Sequence, residues 1–285
     1  MQEVHFQPTE DVVIEHHDPA LYHPAAHARQ VADLAALDAE AEKFYRREGY
    51  LSVAQAFTPA ETAGALEGLL HLIMGGNPEY RNITFEAAAR EKLDTLDVDE
   101  RQDAVRKLTA FVEYEPRLKA LSHHPKLLAA LRRLLGDEPV LLQNLALLKP
   151  PRLGREKPWH QDLAYFNYPP DRPVVGVWIA LDEATIENGC MQLLPGEHHE
   201  PMHHWKRRDW QICDSEILGR RSTAAPLAPG GLLLFDGLLP HGTPHNGSAQ
   251  RRRALQFHYV GASVPGIAAS ERFRIFGTEG KDVAC

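Results

Sequence analysis

Val140-Leu141-Leu142-Gln143-Asn144-Leu145-Ala146-Leu147-Leu148-Lys149, which follows Pro139 and stops at Pro150-Pro151, marks a change of character in this chain. It is a short apolar run closed by turn residues, the pattern of a buried strand. Runs of the same kind recur at 174–181, 191–194, 232–235 and 254–260, each bounded by Pro or Gly. Upstream the pattern is helical. Residues 28–47 are rich in Ala, Leu and Glu with apolar positions three and four apart, closing at Gly49. Thr58-Pro59-Ala60-Glu61 has the form of a capping box opening a helix that runs to Gly75-Gly76. Residues 83–121 and 125–135 continue the helical composition and end at Gly136. Strands that follow helices without alternating with them predict an antiparallel sandwich or barrel braced by helices. The expected division is an irregular arm over 1–27 and one domain over 28–285. Within that domain the helical part covers about 28–136, the sheet core about 137–262 and a tail about 263–285.

Composition narrows the function. With 285 residues, 44% of them hydrophobic, the chain can bury a sizeable core. A net charge of -8 argues against a nucleic-acid surface, and the clusters Arg207-Arg208, Arg220-Arg221 and Arg251-Arg252-Arg253 are too short to reverse that. No apolar run reaches the roughly 18 residues of a membrane span. The N-terminus carries acids and histidines where a signal peptide needs a basic and then an apolar stretch. Cys190, Cys213 and Cys285 are three and widely spaced, so they form no disulfide framework and fit a reducing cytoplasm. A small-molecule substrate is expected, with no nucleic-acid or membrane partner; oligomeric state is not legible.

The chemistry sits in His160, Asp162 and His241. On a strand His160 and Asp162 would share a face, because strand side chains alternate. Two neutral imidazoles and one carboxylate on one side of an ion leave the other side open, as in non-heme Fe(II) enzymes that activate dioxygen. A His-Asp hydrogen bond on a strand is the plain alternative. Downstream, His241 directly follows the 232–235 strand, with Gly242 free to let backbone approach a ligand and His245 a second candidate. Arg252 comes eleven residues later (252 − 241 = 11), so a hairpin would return it beside the metal. Such an arginine suits the far carboxylate of 2-oxoglutarate, the usual electron donor for these enzymes, with Thr243 supplying a hydroxyl.

In order and spacing these segments resemble the phytanoyl-CoA dioxygenase-like (PhyH) branch of the Fe(II)/2-oxoglutarate-dependent oxygenases. The matching residues are Trp159-His160-Gln161-Asp162-Leu163, Val177-Trp178-Ile179-Ala180-Leu181, Asn188-Gly189-Cys190-Met191, Leu194-Pro195-Gly196-Glu197-His198, Leu239-Pro240-His241-Gly242-Thr243 and Arg252-Arg253-Ala254-Leu255. They cover about residues 140–260. The resemblance implies a mainly β fold, a double-stranded β-helix (jelly roll, cupin-like) braced by N-terminal helices. It implies Fe(II) on His160, Asp162 and His241, 2-oxoglutarate on Arg252 and Thr243, and dioxygen as the other cosubstrate. Gln143 and Lys107 are candidates for a further polar contact to the cosubstrate. Related halogenases lack the carboxylate, so the presence of Asp162 implies hydroxylation of an unactivated C–H bond, with succinate and CO2 released. A non-catalytic metal-binding jelly roll, a desaturating or otherwise oxidising relative and a zinc hydrolase are the alternatives. The last lacks an H-E-x-x-H base. Trp178 reads as core, and the basic insert 198–221 as either an anion-accommodating loop or a solvated one.

Overall fold

The computed structural model describes residues 17–86, 92, 93 and 95–277, so His16 and Cys285 lie outside the described residues. Two sheets face one another. The larger has eight strands, in the spatial order Gln30–Val31, Tyr50–Val53, Leu232–Asp236, Val174–Ala180, Arg252–Gly261, Pro139–Lys149, Val105–Thr109 and Ile83–Phe85. The smaller has five, in the order Ala26–His27, Thr223–Ala225, Met191–Leu193, His241–Thr243 and Lys157–His160. All pairings are antiparallel except those of Ala26–His27 and Gln30–Val31, which run parallel to their neighbours. This is the jelly roll that the resemblance implied.

Alternation along the central strands explains why they read as unbroken apolar runs. Val175, Val177 and Ile179 pack with Leu232, Leu234, Leu255 and Phe257 against the helices Pro59–Ile73, Pro116–Ser122 and Pro125–Leu135. Their neighbours Trp178 and Ala180 face the other sheet with Leu233, Phe235 and Ala254. A sheet covered on both faces needs apolar residues at every position, and each fully buried Leu or Val contributes roughly 1.5–3 kcal/mol. Gly176 is required by packing: a Cβ there would lie 2.3 Å from the Phe235 ring. Phe235 in turn stands edge-on to His241, with ring centroids 4.7 Å apart.

The helical reading of the first half needs correction. Residues 28–37 form the strand Gln30–Val31 and a short 3-10 turn, and the first α-helix is Ala39–Glu48, capped by Asp38 and closed by Gly49 at φ 78°. Tyr50–Val53, Ile83–Phe85 and Val105–Thr109 are strands, not helix. An unpaired edge of the larger sheet, at Pro139–Lys149, accepts Val105–Thr109 as its neighbour, and such tertiary pairing overrides local helical composition. The capping box at Thr58 and Glu61 forms as expected. The arm is not wholly irregular either: Tyr22 stacks on Trp159 at 5.7 Å and Ala26–His27 joins the smaller sheet. In the tail, the helix Ala269–Phe276 buries Phe276. Cys190 is free and buried, but Cys213 is disulfide-bonded, against the expectation of no bridge. Among the described residues no helix is long and apolar enough to cross a membrane.

Candidate functional site

His160 is the last residue of the strand Lys157–His160, whereas Asp162 opens the 3-10 turn Asp162–Tyr165. Gln161 between them keeps extended backbone (φ -110°, ψ 128°), so the two side chains still project together. His241 begins the neighbouring strand and pairs with His160 directly. The ligand atoms of His160, Asp162 and His241 all lie within 4.8 Å of one another, and all three residues are buried. His245 is exposed, which decides between the two downstream candidates.

The backbone fixes which nitrogen each imidazole offers. His160 Nδ1 lies 2.8 Å from the Pro158 carbonyl and His241 Nδ1 lies 2.9 Å from that of Leu239. A carbonyl only accepts, so each Nδ1 carries hydrogen and each Nε2 lone pair is turned to the centre. Burial pulls His241 down to about 3, so its ring is neutral at pH 7 as a ligand requires. Burial alone would push the Asp162 carboxyl up, but His258 and His241 beside it hold it well below its ordinary value. Its Oδ1 lies 3.2 Å from His160 Nε2. Its Oδ2 is taken by His258 Nε2 at 2.6 Å and by the Gln256 amide at 3.1 Å.

A cavity of about 440 Å³ opens beside this cluster and is lined by His160, Asp162, His241, Thr243, Arg252, Gln143 and Lys107, so every candidate from the sequence except His245 reaches it. Arg252 arrives by a different route from the expected hairpin. His241–Thr243 belongs to the smaller sheet and Arg252–Gly261 to the larger, so the connection crosses the sandwich and the arginine faces the metal cluster from the opposite sheet. Its guanidinium is buried, stands 5.4 Å over the Trp178 ring and, among the described residues, donates only to Leu147 O at 3.4 Å, with Nε unpartnered. Burial pulls it down to about 10, so it stays charged. Trp178 is core, as expected, and also the floor under this cation. A Cβ on Gly242 would meet Tyr22 Oη at 3.0 Å and Trp159 N at 3.2 Å, so protein packing also favours glycine there.

Other residues escaped the sequence reading. Lys149 pairs in register with Arg252, and its ammonium donates to Thr243 O at 3.2 Å and to Pro244 O. Gln256 and His258 share the inward face with Arg252 because they stand four and six residues beyond it on one strand. That alternation was the available signal. The insert 198–221 forms the ribbon His204–Lys206 and Trp210–Ile212 instead of a solvated loop, and only Asp209 of it lines the cavity, pairing with Lys157 at 2.6 Å. Arg208 is held by Glu156 and Asp214 at 2.9 and 2.6 Å, so its charge is already met within the protein.

A jelly roll carrying two histidines and a carboxylate at one end of a cavity and an unpaired buried guanidinium in its wall defines a non-heme metal class of protein. The family model for phytanoyl-CoA dioxygenase (PhyH) matches residues 45–254, and the chain belongs to that family. The cofactors that go with it, iron(II), 2-oxoglutarate and dioxygen, fit the site: the donor set is hard and open on one side, and Arg252 lacks the anion its burial calls for. Phytanoyl-CoA dioxygenase domain-containing protein 1 of Danio rerio is 31% identical over 156 residues, 52% of this chain and 54% of that protein. The chain thus spans about half the length of the curated relatives it matches. The L-proline trans-4-hydroxylase of Streptomyces griseoviridis is 28% identical, with 64% of this chain and 78% of that one aligned. Among solved structures, EctD from S. alaskensis in its apoform shares the fold at a TM-score of 0.67 and 22% identity, covering 90% of this chain and 86% of that one.

Proposed function

We propose that this protein is an iron(II)- and 2-oxoglutarate-dependent oxygenase that hydroxylates an unactivated C–H bond of a small metabolite, with release of succinate and CO2. The observation that carries the reading is Arg252, a buried cation without a carboxylate partner among the described residues, across the cavity from His160, Asp162 and His241. A protein that merely stored or sensed a metal would have no use for that orphaned charge, which opposes folding. Bound iron(II) with 2-oxoglutarate supplies the oxidising chemistry. The chain's own residues do the rest: His160 and His241 present their Nε2 atoms, and Gln256 and His258 occupy Asp162 Oδ2 so that Oδ1 faces the centre. Arg252 takes the distal carboxylate of the cosubstrate, with the Thr243 hydroxyl beside it. Gln143 and Lys107 are the further polar groups in reach of the same cavity. Asp162 favours hydroxylation over halogenation, and the relative named as a proline hydroxylase supports that outcome.

Purified protein with Fe(II), ascorbate and 2-oxoglutarate is expected to release succinate slowly without a substrate and faster when the right metabolite is added. Succinate release that survives Asp162→Ala would overturn the assignment.

A further inference from the structure

Gln161 stands between the ligands His160 and Asp162 and is fully buried. The strand has ended before it: His160 is the last residue paired across to His241, and the Gln161 N–H has no backbone partner among the described residues. A buried N–H left unpaired is costly enough that nearly all are met. His204, on the insert, meets this one, its Nε2 accepting from Gln161 N at 3.0 Å. A backbone N–H only donates, so Nε2 carries the lone pair; Nδ1, 2.9 Å from the Met202 carbonyl, carries the hydrogen. The ring is itself fully buried, 5.2 Å from Trp210 and 6.0 Å from Phe276 between centroids.

The Gln161 side chain extends the link. Its amide nitrogen donates to Leu238 O at 2.6 Å and Glu200 O at 2.9 Å, and its oxygen accepts from Met202 N at 2.7 Å. Leu238 precedes Leu239, whose carbonyl orients His241. The loop carrying His160 and Asp162, the turn leading to His241 and the start of the insert are therefore joined at one residue. The 3-10 turn beyond Asp162 is held from the same side: Tyr165 Oη donates to Trp210 O at 2.6 Å, and Arg272 of the tail helix donates to Ala164 O at 2.8 Å. His204 does not line the cavity, so it acts on the metal centre only through this loop.

We propose that His204 is a positioning residue of the metal centre: by accepting the Gln161 N–H it holds the backbone extended between His160 and Asp162, and the insert serves as a brace for both ligands. The proposal rests on the oxygenase reading and adds to it a group outside the cavity on which iron affinity depends. A side chain without an acceptor at position 204 strands the Gln161 N–H, and turning that peptide toward another partner moves Asp162 relative to His160.

The test uses full-length metal-free protein, titrated anaerobically with Fe(II) alone by calorimetry and then with 2-oxoglutarate to develop the weak visible band. Two variants separate the hydrogen bond from packing. His204→Phe keeps a ring against Trp210 and Phe276 but offers no acceptor; His204→Gln gives up the ring and keeps an amide oxygen at about the reach of Nε2. His204→Phe is expected to weaken Fe(II) about 10–100-fold, the usual effect of losing a group that orients a ligand, and to shift the band. His204→Gln should bind Fe(II) at least fivefold more tightly than His204→Phe and keep the native band. Leu131→Ala, which opens a cavity in the buried face of the helix Pro125–Leu135, controls for lost stability and should bind Fe(II) as the native chain does. The positioning role is overturned if His204→Phe loses less than tenfold, if His204→Gln binds no better than His204→Phe, or if Leu131→Ala weakens Fe(II) as much. Should His204→Phe not fold, His204→Gln decides alone: affinity within tenfold of native upholds the role and a larger loss overturns it. A native protein that binds no Fe(II) would instead overturn the oxygenase reading.

Discussion

Replacing Arg252 with methionine should make the metal-free protein more stable and the cosubstrate site useless. The guanidinium is buried over Trp178 with one long hydrogen bond and an unpartnered Nε. Burial brings it down to about 10, whereas a guanidinium in water holds its proton to about pH 12.5 or beyond, a difference on the order of 3 kcal/mol against the charged form. For a base whose folded value is depressed, this penalty is present at every pH below the folded value, and so in full at pH 7.5. Arg252→Met keeps most of the volume and removes the charge. The loss of stacking on Trp178 offsets part of the gain, leaving about 1–3 kcal/mol, or some 2–4 °C per kcal/mol in a chain of this size. Cosubstrate binding moves the other way. Removing one partner of a buried charge pair costs about 2–5 kcal/mol, which is roughly thirtyfold to several thousandfold in Kd. Lys149, paired in register with Arg252, keeps the loss toward the lower end. Melting curves of metal-free protein and an anaerobic 2-oxoglutarate titration followed by the visible band measure both effects. A variant that melts no higher than the native chain and binds 2-oxoglutarate within threefold of it refutes the reasoning.

Asp162→Ala should remove retained Fe(II), seen by metal analysis after gel filtration, because it deletes the one carboxylate of the cluster. His258→Leu should lower metal affinity about 10–100-fold, the usual effect of losing a group that orients a ligand, without unfolding the chain; unchanged affinity would show that Asp162 needs no such support. Gly176→Ala should destabilise by about 1–3 kcal/mol in denaturant melts through overpacking and weaken metal binding too, since Phe235 would be pushed toward His241. Burial raises the Asp236 carboxyl to about 6. For an acid shifted upward, the penalty falls on the ionised form: it is absent below about pH 4, the value in water, grows as pH rises to 6, and is constant above. Asp236→Asn should therefore melt higher than the native chain at pH 7–8 and equally at pH 4; the opposite trend would disprove the burial argument.

The strands 174–181, 232–235 and 254–260 were legible because both faces of the larger sheet are buried and the apolar run is continuous. Ile83–Phe85 and Val105–Thr109 were not, since these two outermost strands are selected by the neighbours they pair with, and their surroundings carry helical composition. Lys107 was picked from such a helix and proves to stand on a strand facing the cavity.

By itself the sequence determined the metal cluster and its candidate arginine, because the residue types that hold iron and a carboxylate are few and their order along the chain is distinctive. Its net charge also argued against a nucleic-acid surface and so for a small substrate. Only the tertiary structure decided that Arg252 faces His241 across two sheets and that Gln256 and His258 fix Asp162. Only it brought Lys107 to the same cavity wall. Each of these depends on strand register, which long-range pairing sets and no local stretch of residues encodes.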